Sequence, residues 1–112
     1  GGDSQPQVVL QLLTRLFVAG EDAGQALAAP RWRFAGAASN GFNTWADPTE
    51  VILEIEGQHP SLVTNLERLG HIVNSLPAHN SAFGHAHIIS VEATVLSGAA
   101  EPRVTVSGTA SY

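Results

Sequence analysis

Apolar residues recur near the start of the chain at Val8, Val9, Leu12, Leu13, Leu16 and Phe17, the i, i+3, i+4 spacing of an amphipathic helix. The pattern predicts a helix from Pro6 to about Ala19. Asp3 or Ser4 would cap its first turn, Pro6 stands where no amide hydrogen is needed, and Gly20 is placed to end it. Asp22-Ala23-Gly24-Gln25 has the form of an N-cap with its reciprocal partner three residues on, opening a short Ala-rich helix that Pro30 stops. Arg31-Trp32-Arg33-Phe34 alternates as a short half-buried strand does, and residues 36–48 are rich enough in small and turn-forming types to be a loop.

The period changes again further on. Glu50 to Glu56 is β-rich, alternates in its second half and is closed by Gly57. Pro60-Ser61 starts a helix through Leu62, Val63, Leu66 and Leu69 that Gly70 terminates, and His71-Ile72-Val73 begins a short strand. Residues 77–84 read as turns, and His85 to Leu96 is the longest β-favouring run. Gly98 to Pro102 then turns the chain so that Val104-Thr105-Val106 pairs back antiparallel. Helices and strands interleave without a Rossmann or P-loop fingerprint, and no internal repeat or linker divides them. The expected class is α+β in a single domain, residues 1–112.

Composition narrows the partners. Hydrophobic residues make up 44% of the 112 and charged residues 13%, which leaves little charge to cover the surface of a small free-standing domain. Some apolar faces are therefore expected to meet other protein, and self-association of the piece alone is expected with them. The net charge is −5, lysine is absent, and five scattered arginines make no basic stripe, so nucleic acid is not an expected partner. Without cysteine there is neither a disulfide framework nor a thiolate metal site. No apolar run reaches the roughly 18 residues of a membrane span. A chain that starts with Gly and has no Met reads as a processed or truncated product.

Several side chains are candidates for chemistry. The Gly1-Gly2 turn feeds a helix whose first N–H groups and positive dipole end suit an anion, or an oxygen that becomes one during a reaction; the alternative reading is that the two glycines are only a flexible lead-in. His85 and His87 share a face of the expected strand and would bind a metal only if a third ligand such as His79 came near; they are read as hydrogen-bonded surface or interface histidines, and no metal or cofactor is expected. Glu54 and Glu56 share a strand face, and paired carboxylates perform acid–base work when one is desolvated, but opposite Leu53 and Ile55 they are placed on the solvated side. Trp32 is expected to be a core anchor whose arginine neighbours reach carboxylates elsewhere, Trp45 is a second pocket-lining candidate, and Asp47-Pro48 is a turn. Ser61, Ser75 and Ser81 lie in no nucleophile-elbow pattern.

Gly-Gly-x-x-x-Pro-Gln followed by Leu-Gln-Leu-Leu, then Ala26-Leu27-Ala28-Ala29-Pro30-Arg31-Trp32, resembles the C-terminal part of the small, catalytic subunit of gamma-glutamyltranspeptidases. Leu53-Glu54-Ile55-Glu56-Gly57, Leu66 to His71, Phe83-Gly84-His85-Ala86-His87, Gly98 to Arg103 and the ending Gly108 to Tyr112 follow in that family's order and spacing. The resemblance implies that the strands belong to the stacked sheets of an αββα sandwich, the N-terminal-nucleophile hydrolase fold. It implies an enzyme that transfers a gamma-glutamyl group from glutathione-like donors to water or an amine through an acyl-enzyme. Its nucleophilic threonine lies upstream of Gly1, and the rest of the small subunit and a large subunit are the partners of this piece. By the same resemblance the backbone N–H groups of Gly1 and Gly2 form the oxyanion hole. With Gly1 as a free chain end, that hole is expected to be disassembled and the piece alone inactive. A periplasmic or extracellular setting is implied, with the cytoplasm left open. Asp3-Ser4-Gln5-Pro6 departs from the best-known transpeptidases, which keeps open a related acylase acting on glutaryl or similar amides. A non-catalytic binding or assembly module, metal-dependent through His85 and His87, is the third reading.

Overall fold

A computed structural model describes residues 4–36 and 51–110 of the chain. Three helices and five strands follow the order α1 (Gln5–Phe17), α2 (Ala23–Ala28), β1 (Trp32–Gly36), β2 (Val51–Glu56), α3 (Pro60–Arg68), β3 (Ile72–Leu76), β4 (Ile88–Glu92) and β5 (Val95–Ala99), with a 3-10 turn at Ser81–Phe83 before β4. The architecture is α+β, as the interleaved periods predict. The 36–48 loop, Trp45 and Asp47-Pro48 fall outside the described residues except for Gly36, the last residue of β1.

The first sheet has the order β1-β2-β3. β1 runs antiparallel to β2 with Trp32 opposite Ile55 and Phe34 opposite Leu53, and β2 runs parallel to β3 with Leu53 opposite Val73. A parallel neighbour needs a crossover, and α3 supplies it between Gly57 and Gly70, which both take the positive φ that glycine tolerates (86° and 93°). On one face of this sheet Leu53 and Ile55 are buried, with Trp32 and Phe34 in an edge-to-face pair, ring centroids 5.6 Å apart. On the other face Arg33 Nε donates to Glu54 Oε2 at 2.5 Å from the adjoining strand.

The second sheet is the hairpin β4-β5. The run from His85 to Leu96 is therefore not one strand: it starts at Ile88 and folds back on itself at Ala93-Thr94, and Val104 to Val106 lies in turns rather than in a paired strand. The fold-back carries no glycine, asparagine or proline to announce it. Ala93 instead adopts φ 51°, a left-handed conformation that costs an alanine about 1 kcal/mol. The core cluster joins this hairpin to the N-terminal helices: Val8, Leu12, Ala26 and Leu27 are buried together, with Leu16, Ala86, Ile88 and Ala99 packed against them.

The capping box of α2 is present in full, since Gln25 N–H donates to Asp22 Oδ1 and Asp22 N–H to Gln25 Oε1. The start of α1 differs from expectation. Ser4 occupies the N-cap position, yet its side chain caps nothing. It is buried, and its Oγ accepts from Arg33 Nη1 at 3.4 Å.

Candidate functional site

Three features organise the described residues around α1 and the sheet. The first is the seating of α1 on the outer edge of β1. Arg33 pairs with Glu54, and the Arg31 carbonyl accepts from Glu56 N–H on the β2 side, so the backbone groups of Trp32 and Phe34 face the outer edge. Their N–H groups donate to Gln11 Oε1 (3.0 Å) and Gln7 Oε1 (2.7 Å), and their carbonyls accept from Gln11 Nε2 (2.8 Å) and Gln7 Nε2 (3.4 Å). Ser4, held by Arg33, completes the seat one turn earlier.

The second feature is a buried quartet: Arg31 and Arg103, Glu56 and Glu101, each with a side chain no more than 2% exposed. Arg103 Nε donates to Glu56 Oε1 at 2.8 Å and its Nη2 to Glu56 Oε2, while its Nη1 donates to Glu101 Oε1 at 2.8 Å. Arg31 Nη2 donates to Glu101 Oε2 at 2.9 Å. Backbone amides fill the remaining lone pairs: those of Arg31 and Asn80 on Glu56, those of Ala86 and Arg103 on Glu101. The arginines also satisfy carbonyls left over at the end of α2 and in the loop before β4, at Leu27, Ala29, Phe83 and Gly84. Five chain segments meet at these four side chains.

Burial alone would raise both carboxyls, but the hydrogen bonds and charge of the arginines with the backbone donors outweigh it and hold Glu56 and Glu101 below the usual carboxylate range. Burial likewise works against Arg103, whose bonds to both carboxylates win and raise it. Arg31 goes the other way: burial and the neighbouring charge of Arg103 lower it, and its Nε is one of two buried polar side-chain atoms without a partner among the described residues. Four donors on each carboxylate exhaust its acceptor sites. Neither acid has a lone pair left for a substrate; at neutral pH the quartet is an ionised tie between segments.

Glu56 was expected on a solvated face. The parity is right, because Glu56 and Glu54 do lie opposite Leu53 and Ile55, but α2's end and the segment 101–103 cover the last residue of that face, and Glu54, paired with Arg33, is itself largely covered with 15% of its side chain exposed. Arg31 and Arg33 do reach carboxylates, and within this chain; Trp32 between them is 37% exposed and anchors no core among the described residues. One sequence signal could have found the quartet: Pro-Arg occurs twice, at 30–31 and 102–103, and both arginines end in the same cluster.

The remaining candidates stay apart. His85 and His87 precede β4 rather than lying on it and are exposed, with His87 Nε2 3.2 Å from Ser107 Oγ. Among the described residues no group of three or more His, Asp or Glu is close enough to hold a metal ion, and no helix is long and apolar enough to cross a membrane. Ser61, Ser75 and Ser81 sit separately in α3, β3 and the 3-10 turn. Gly1 and Gly2 lie outside the described residues. The third feature is an open groove of about 850 Å³ between α1 and β4, lined by Val9, Leu13, Phe17, Ile89 and Val91 among others.

The gamma-glutamyltranspeptidase family profile matches residues 1–111. The chain belongs to that family. It is 31% identical over 105 residues to a glutathione hydrolase-like YwrD proenzyme of Bacillus subtilis, an alignment that takes in 92% of this chain and 18% of that protein. The CapD transpeptidase of Bacillus anthracis shares its fold over 100% of this chain and 59% of the solved one, with a TM-score of 0.73 at 21% identity. A cephalosporin acylase of Bacillus halodurans is similar over 88% of this chain and 16% of its own, at 29% identity and a TM-score of 0.64. The chain thus spans about a fifth of the curated relative's length. These likenesses make the fold that of the N-terminal-nucleophile hydrolases.

Proposed function

We propose that this chain is the C-terminal part of the catalytic subunit of an enzyme that transfers a gamma-glutamyl group from a glutathione-like donor to water or an amine. In the whole protein a threonine hydroxyl upstream of Gly1 attacks the gamma-carbonyl, passing its proton to its own amine. The C–N bond breaks, the donor's amine leaves with a proton, and the acyl ester that remains is released by water or by an acceptor amine. The N–H groups of Gly1 and Gly2 hold the oxygen that becomes negative in each tetrahedral intermediate. The described sheets form part of an αββα sandwich, and other segments of the parent subunits cover the α1/β4 groove.

The observation that carries this reading is the family match from residue 1 to residue 111, together with a helix that begins at Gln5, shortly after Gly1-Gly2 in the sequence, and is pinned to the sheet at Ser4, Gln7 and Gln11. The test is hydrolysis of a gamma-glutamyl anilide by the full-length processed enzyme. Gly2→Pro, which deletes one N–H, lowers kcat by about 10²–10³-fold. The chain expressed alone shows no rate; a measurable rate would contradict the assignment of the nucleophile to an upstream segment. The resemblance to the cephalosporin acylase favours a second reading, an acylase for glutaryl-type amides. Turnover of a glutaryl anilide in preference to its gamma-glutamyl counterpart would select it, because the two differ only in the alpha-amino group.

A further inference from the structure

The groove between α1 and β4 is walled by two different kinds of surface. From α1 come Val9, Leu13 and Phe17, spaced four apart on one side of the helix and each at least two-fifths exposed. From the other side every residue from Gly84 to Glu92 contributes. Successive residues of a strand point to opposite faces, so a groove laid over a face of β4 would meet alternate residues only. One that meets them all runs along the strand's edge. The opposite side of α1 carries Gln7 and Gln11, whose carboxamides are spent on the outer edge of β1. One helix thus seals the edge of the first sheet with its polar side and holds an apolar stripe over the edge of the second.

The register shows what β4 offers there. The two-residue turn Ala93-Thr94 closes on the pair Glu92 and Val95, and hydrogen-bonded pairs alternate from that point, so Ser90 and Ile88 are bonded to β5 as well. The N–H and C=O groups of Ile89 and Val91 are left on the outer edge. Their side chains form an exposed apolar face with Leu96 of β5. A two-stranded hairpin is marginal by itself, and an open edge beside apolar surface is a template for another strand.

We propose that the α1/β4 groove is a strand-acceptor site, and that its occupant is an extended, continuously apolar segment from the part of the catalytic subunit that precedes Gly1. The proposal rests on the reading of this chain as that subunit's C-terminal part; the match to CapD leaves about two-fifths of the solved chain outside it, so chain enough is at hand. The occupant needs about five residues to span β4 and bonds Ile89 and Val91 through its backbone. One set of its side chains meets Val9, Leu13 and Phe17, and the alternate set extends the face of Ile89, Val91 and Leu96. Both sides of it meet apolar surface, which calls for an unbroken apolar run rather than an alternating one.

The test is photo-cross-linking in the full-length processed enzyme with benzoylphenylalanine in place of Leu13, on the groove wall. Peptide mapping should find the adduct on an apolar segment N-terminal to Gly1 in the catalytic subunit. An adduct on residues 37–50, on the large subunit or on a second copy, or no adduct, would overturn the assignment of the occupant. Hydrogen exchange on the wild-type enzyme tests the pairing without a variant: the amides of Ile89 and Val91 should exchange as slowly as those of Ser90 and Glu92, which β5 holds. Fast exchange at those two alternate positions would show an edge that no strand covers and would overturn the proposal. Hydrolysis of a gamma-glutamyl anilide is scored separately, so an enzyme that gives the adduct and the protection without turnover overturns the assigned activity and leaves the strand-acceptor site standing.

Discussion

Arg103 illustrates how unevenly charge is distributed in stability. It is the shared partner of two carboxylates with no solvent, and breaking such a buried pair costs about 3–5 kcal/mol because it strands the remaining charges. Arg103→Leu is therefore expected to unfold the chain or remove it from the soluble fraction, as measured by denaturant titration of the parent enzyme. Glu54→Gln removes a partly solvated pair and should cost no more than about 1 kcal/mol. The acids also fix a pH limit. With folded values of Glu56 and Glu101 held below their unfolded ones near 4.3, their contribution is fully present above that pH and is lost as pH falls through the folded values. Melting temperature should hold between pH 7 and about 5 and drop steeply below about 4. At this scale the sequence was legible only in part: alternation put Glu56 on the correct face, but alternation reports a residue's direction and not what arrives from 47 positions away to cover it.

At the scale of elements the local signals served best where the chain supplies its own stop. Asp22 and Gln25 bound α2, and Gly57 and Gly70 bracket α3, because caps and positive-φ glycines act over three or four residues. The 85–96 run gives no sign of its fold-back because Ala93 turns without a turn residue, at φ 51°. That misfit is testable. Ala93→Gly should stabilise the hairpin by about 1 kcal/mol, seen as a higher denaturation midpoint with an unchanged slope. The parallel β2-β3 pair was equally invisible, since no period distinguishes a strand that goes back beside its predecessor from one that does not.

For the whole molecule, the radius of gyration of 15.6 Å exceeds the roughly 13 Å of a compact chain this long. Phe17, Val18, Ile89, Val91, Leu96 and Val106 are each at least two-thirds exposed, and several of them rim the α1/β4 groove. The apolar composition had pointed to faces that meet other protein, though not to which faces. The chain expressed alone should consequently self-associate, and sedimentation velocity should show its weight-average mass rising with concentration. The parent enzyme should show no such rise from these residues.

The quartet also sets an order of events. Its members are spread from Arg31 to Arg103, with the Arg31–Glu101 bond closing a separation of 70 residues. A ribosome delivers Arg31 and Glu56 long before it delivers the two residues that neutralise them. Until Glu101 and Arg103 emerge, the end of α2, the end of β2 and the loop before β4 can join only through Arg31 and Glu56, without the guanidinium–carboxylate pairs that offset the burial of those two charges. Nascent chains halted before residue 101 should accordingly remain open to protease, and ones extended past 103 should become resistant in a single step.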